Sequence, residues 1–138
     1  HGIDISSKMI AAAQRDAEKQ GLAVEFRVGS ITGLPYPDAA FDVVITNIMF
    51  HHLDLVEKRQ AVFEVARLLK PGGRYISAEF GPRVKNALQR RLAKGEYTLY
   101  PNHLSEAGLV VLHDELGAFA WGRKVWYRVA IKPDRTEG

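Results

Sequence analysis

Cysteine is absent from all 138 residues. The chain therefore has no disulfide framework, no thiolate metal site and no cysteine nucleophile, and it fits a reducing compartment such as the cytoplasm. Long apolar runs are missing too: none approaches the roughly 20 residues of a membrane-spanning helix. Charge of one sign is scarcely in excess. Nineteen basic and 16 acidic residues leave a formal net charge of +3, too mild for the dense basic face of a nucleic-acid binder. No repeat, low-complexity tract or linker divides the sequence. What is there is 46% hydrophobic residues, enough for one domain with its own core. That domain is expected over residues 1–132, with a frayed polar tail over 133–138.

Residues 41–73 are the most informative stretch. Phe41, Val43, Val44, Ile45 and Thr46 read as a strand buried on both faces. Asn47 ends it, and His51 and His52 follow in a loop. Leu55, Val62, Phe63, Ala66 and Leu69 then recur at helical spacing. Lys70-Pro71-Gly72-Gly73 is expected to stop this helix, with Lys70 as the cation on its last turn. A second apolar run covers 74–80. This is a βαβ unit, and in parallel sheets ligands sit at the carboxyl ends of the strands. The loop 47–52 is at one such end.

Upstream, 2–5 reads as the end of a strand, and Ser6 or Ser7 as the cap of a helix with Met9, Ile10, Ala13 and Ala17 on one face. Gln20-Gly21 closes that helix, 23–28 is a strand, and 29–40, with two glycines and two prolines, is a loop. Downstream, a short basic helix is expected over 84–92, a loop over 95–101, a helical turn over 102–107, and strands over 109–116 and 125–131. The last two form an antiparallel hairpin. The fold class is α/β: a mostly parallel sheet with one antiparallel strand and helices on both faces.

Several pieces, in order and spacing, resemble one family. They are Gly2-Ile3-Asp4-Ile5-Ser6 with Met9, Gly29-Ser30 with Leu34-Pro35-Tyr36-Pro37-Asp38, Phe41-Asp42-Val43-Val44, and Leu69-Lys70-Pro71-Gly72-Gly73. Over roughly residues 2–81 the chain resembles the class I S-adenosylmethionine-dependent methyltransferases, of the small-molecule type that includes the quinone-biosynthesis enzymes. The resemblance implies a Rossmann-like sheet of order 3-2-1-4-5-7-6, with the closing hairpin as strands 6 and 7. The family's first strand and glycine-rich loop find no match here. The chain is thus expected to be an N-terminally truncated piece of a longer enzyme, with strands 2 and 4 paired directly or their gap filled by another chain.

The resemblance also implies a site. Asp4 would accept from the ribose hydroxyls of S-adenosylmethionine, its rival role being a helix-capping or surface carboxylate. Ile5 would lie beside the adenine, and Met9 would wall its pocket or serve as ordinary core. Ser30 and Ile31 would edge the adenine, or form a plain turn; the family often has Asp at the position of Ser30. Asn47 would lie near the methionine end, or merely terminate its strand. His51 and His52 are candidate general bases, against packing and solvation as the simpler account. A metal is not expected, since adjacent histidines alone make a poor site. Asp54 should cap the following helix, and the direction of Glu79 is left open. Tyr97, Tyr100, His103 and Trp121 fall where such enzymes take their acceptor, and the basic set Arg83, Lys85, Arg90, Arg91 and Lys94 reads as a solvated helix face. The implied function is methyl transfer to a small-molecule acceptor, with no nucleic-acid partner. Two rivals are a nicotinamide-dependent oxidoreductase, in which Asp4 serves a different ribose, and a degenerate, non-catalytic partner or inactive fragment.

Overall fold

The computed structural model describes residues 1–81, 102–118 and 124–134. The basic helix, the loop 95–101, Tyr97, Tyr100 and Trp121 lie outside the described residues, as does most of the expected tail. The chain forms two compact units, residues 1–35 and 36–138.

The first unit is a small βαβ arrangement of β1 (Gly2–Asp4), α1 (Ser7–Lys19) and β2 (Phe26–Val28). The strands are parallel, with Gly2 opposite Phe26 and Asp4 opposite Val28. Ser6 is the cap of α1: its Oγ accepts from the Met9 amide at 3.3 Å. Gly21, at φ +66°, turns the chain out of the helix, as a left-handed residue there should. Gly2 has no room for a side chain, since a Cβ would sit 2.6 Å from the Phe26 ring.

The second unit contains β3 (Phe41–Asn47), a 3-10 turn (Phe50–His52), α2 (Leu55–Leu68), β4 (Leu69–Phe80), β5 (Val110–Ala118) and β6 (Lys124–Ile131). Its sheet has the order β3-β4-β6-β5. β3 and β4 are parallel, and β6 is antiparallel to both β4 and β5. Three strands therefore run one way and β6 alone runs against them. By pairing, however, the sheet is mixed, with one parallel and two antiparallel ladders. The order matches the 4-5-7-6 portion of the expected series. The expected single sheet is not formed: β1 and β2 make a two-stranded sheet of their own. Among the described residues no ladder joins β1 to β3, so the direct pairing weighed for these two strands is not found.

Other expectations are also corrected. β3 is covered on one face, not both. Thr46 is buried, with its hydroxyl 2.7 Å from the Tyr75 hydroxyl, while Val43 and Ile45 are 47% and 67% exposed. A run of apolar residues fills both faces of a strand whether or not each is covered, so composition could not distinguish the cases. The stripe on α2 is rotated as well: Ala61, Val62, Val65, Ala66 and Leu68 are buried, and Leu55 and Phe63 are exposed.

The end of α2 differs most. Lys70 lies past the helix and pairs with both oxygens of Asp42 at 2.9 Å. The basic residue on the last turn is instead Arg67, and Lys132, just beyond β6, reaches the helix end from outside: its Nζ donates to the carbonyls of Ala66 and Leu69 at 2.7 Å each. It satisfies two orphan acceptors and opposes the negative end of the helix dipole. The same residue ties down the Lys70–Gly73 excursion. The Gly72 amide donates to the Lys132 carbonyl and the Lys132 amide to the Gly73 carbonyl, at 2.8 and 2.9 Å. In the core of this unit Tyr75, Leu69, Val62, Val65, Leu104, Val125 and Ala130 are all but inaccessible.

Candidate functional site

The sequence-predicted residues divide between the two units: Asp4, Ile5, Met9, Ser30 and Ile31 in the first, Asn47, His51 and His52 in the second. In the first unit the carboxyl ends of β1 and β2 lie side by side, joined by a 3.1 Å bond from the Gly29 amide to the Asp4 carbonyl. This brings Asp4 and Ser30 to one edge. Asp4 Oδ1 accepts from the Ser6 amide at 2.7 Å, a turn that starts α1. Its other oxygen has no partner among the described residues. The helix cap is therefore Ser6 and not Asp4, which holds the turn before it with one oxygen and leaves the other open. Ile5 beside it is 80% exposed and Met9 is 57% exposed, so Met9 is not core. Ser30 is engaged locally, its Oγ 2.9 Å from the Thr32 hydroxyl and accepting from the Thr32 amide. Ile31 is half-buried.

In the second unit Asn47 is exposed at the carboxyl end of β3, opposite Ala78 of β4. Ile48 then takes φ +50°. For a β-branched residue this is a strained conformation. Its amide donates to the Ala78 carbonyl at 2.7 Å. Glu79, whose direction the sequence left open, turns inward and is 6% exposed. Its Oε1 accepts from the amides of Met49 and Phe50 at 3.0 and 3.2 Å. Its Oε2 is buried with no hydrogen-bond partner among the described residues, and His51 Nδ1 lies 3.8 Å from it. The two histidine rings lie tilted at 42° with centroids 3.8 Å apart, and both are exposed. Phe50, which opens the same turn, is buried.

The signal for Glu79 was present in the alternation of β4. Tyr75 and Ser77 are buried in phase with it. A carboxylate in step with buried positions at a strand's carboxyl end must find donors, and the loop beyond β3 supplies them. Asp54 caps α2 as expected, in a reciprocal capping box with Glu57. His103 belongs to the helical turn 102–106, where Glu106 accepts from Arg59 at 3.0 Å. Arg59 first, and His103 second, hold the Glu106 carboxyl below the usual carboxylate range. No group of three or more metal-ligating side chains occurs among the described residues, and no helix there is long and apolar enough to cross a membrane.

The sequence profile of the methyltransferase-domain family matches residues 1–77. The chain belongs to the class I S-adenosylmethionine-dependent methyltransferases. S-adenosylmethionine is the family's methyl donor. A demethylmenaquinone methyltransferase of Thermus thermophilus is 41% identical over 86 residues, covering 62% of this chain and 38% of the relative. The uncharacterized methyltransferase YcgJ of Bacillus subtilis is 31% identical over 109 residues, covering 78% of this chain and 42% of its own length. The chain thus spans about two fifths of these relatives. A crystal structure of an S-adenosylmethionine-dependent methyltransferase from Methanosarcina mazei superposes with a TM-score of 0.79 over 97% of this chain and 82% of that one, at 22% identity. That likeness shows the fold.

Proposed function

We propose that the chain supplies the adenosine-binding and acceptor-facing elements of an enzyme that methylates a small molecule, as part of a longer polypeptide. The observation that carries this is the arrangement at Asp4. One carboxylate oxygen is fixed by the Ser6 amide, and the other is exposed at the strand end beside an exposed Ile5. A held carboxylate can accept from vicinal ribose hydroxyls, and Ile5 with Met9 can cover an adenine face. Ser30 offers a hydroxyl at the same edge, without the charge of the Asp that the family often has there.

S-adenosylmethionine, when bound, supplies a methyl group already activated on a sulfonium. The protein therefore has to align the acceptor and exclude water. Asn47, exposed at the end of β3, can orient either reactant through its amide. His51 or His52 can take a proton from an acceptor that loses one, as a neutral imidazole does near neutral pH. The 41% identity to a demethylmenaquinone methyltransferase supports an aromatic or quinone-like acceptor.

The test is calorimetric titration of S-adenosylhomocysteine into the full product of the gene encoding this chain. Micromolar binding that Asp4→Ala weakens at least about tenfold, roughly 1.4 kcal/mol, is expected. Undiminished binding by Asp4→Ala would remove Asp4 from the site. Binding of a nicotinamide dinucleotide in place of S-adenosylhomocysteine would overturn the reading.

A further inference from the structure

We infer that Glu79 is the positioning residue of the acceptor-facing loop: it pins residues 48–50 and holds the His51 imidazole with Nδ1 toward its free oxygen, leaving Nε2 as the nitrogen that takes the proton. The inference rests on the methyltransferase reading of that loop and deepens it.

Three consecutive amides of the loop are held by the last residues of β4. The Ile48 amide goes to the Ala78 carbonyl, and the Met49 and Phe50 amides go to Glu79 Oε1. Such a row of amides is a concavity for an anion, and here the protein fills it with its own carboxylate. Ile48 in the left-handed region is kept there by this pinning, because strained conformations persist only where their surroundings fix them. Glu79 therefore determines the path of the chain from Asn47 to His51.

Its second oxygen carries the further step. Burying a carboxylate oxygen without a donor is unfavourable, and Oε2 has no hydrogen-bond partner among the described residues. His51 Nδ1 faces it at ion-pair distance, 3.8 Å. A carboxylate behind an imidazole selects the tautomer with the proton on the near nitrogen, and it favours the protonated ring that forms when the far nitrogen acts as base. Two other rings lie against His51: the imidazole of His52, from the same turn, tilted with its centroid 3.8 Å away, and the uncharged Phe80 ring at 5.9 Å.

The test is histidine-selective nitrogen-shift NMR of this chain with its imidazoles neutral, unaltered and as Glu79→Gln. The amide variant keeps an oxygen for Met49 and Phe50 but turns a donor toward His51 in place of an acceptor. The expected result is His51 mainly as the Nδ1–H tautomer in the unaltered chain and a shift toward Nε2–H in the variant. His113, which faces Glu115 on β5, should keep its tautomer balance. An unchanged His51 tautomer balance in a folded Glu79→Gln chain would overturn the inference. If that variant does not fold, the unaltered chain decides. Nitrogen shifts showing neutral His51 mainly as the Nδ1–H tautomer uphold the inference, and mainly the Nε2–H tautomer overturns it. The readout needs no cofactor, so the role of Glu79 is decided even in a chain that binds no S-adenosylhomocysteine.

Discussion

Asp4 and Glu79 do the same job by opposite means. Each is a carboxylate near the carboxyl end of a strand, and each holds the backbone of a candidate ligand loop. Asp4 reaches two residues along its own chain, to the Ser6 amide, and is exposed. Glu79 reaches back about 30 residues, to Met49 and Phe50, and is buried. A local carboxylate turn leaves an oxygen free for a ligand and can be lost at little cost to folding. A buried one is part of the fold, and its loss leaves donors that water cannot easily replace.

The largest effect should come from breaking the buried member. Glu79→Leu removes the acceptor for two amides, and urea unfolding of the chain should show a loss of about 2–4 kcal/mol. Asp4→Ala should change stability by less than about 0.5 kcal/mol in the same assay, as surface substitutions do. Equal losses would mean that burial does not separate the two turns. Lys132→Met sharpens the comparison with a second long-range tie. It removes donors from the Ala66 and Leu69 carbonyls and should cost about 1–2 kcal/mol. Lys70→Met, at the exposed pair with Asp42, should cost below about 1 kcal/mol. A reversal of that order would restore Lys70 as the helix-ending cation.

The same division explains what could be read from the sequence. The features written in adjacent residues are found where expected: the Ser6 cap, the Asp54 cap, the Gly21 helix exit, and the alternation of β and α elements. Features that need a distant residue were misread or left open. Lys132 is 62 positions from the Lys70 it displaced from the helix end. Glu79 gave its phase but not its donors. Val43 and Ile45 could not announce that their face is exposed, because coverage belongs to neighbours and not to the strand. At the candidate site, the residues of the first unit were legible as a motif with local geometry. The histidines were legible only as a pair, and the feature that distinguishes His51 from His52, the Glu79 oxygen, comes from another strand.

The smallest effect tests the local member without touching the fold. Ser30 lies at the end of β2, where the family often has Asp, and its hydroxyl is occupied with Thr32. A carboxylate at that position would accept from an exocyclic amine as a charged partner, and charge-assisted bonds are roughly twice as strong as neutral ones. Ser30→Asp in the full gene product should therefore tighten S-adenosylhomocysteine about three- to tenfold, roughly 0.7–1.4 kcal/mol by calorimetry. The gain should vanish for a ligand lacking the adenine amino group, such as the inosine analogue. Repulsion from Asp4 at the same edge works against the substitution, and raising the salt concentration should relieve that part. Weaker binding at every salt concentration would mean that the serine turn itself, with Thr32, shapes the adenine edge, and that its hydroxyl is not a lesser substitute for a carboxylate.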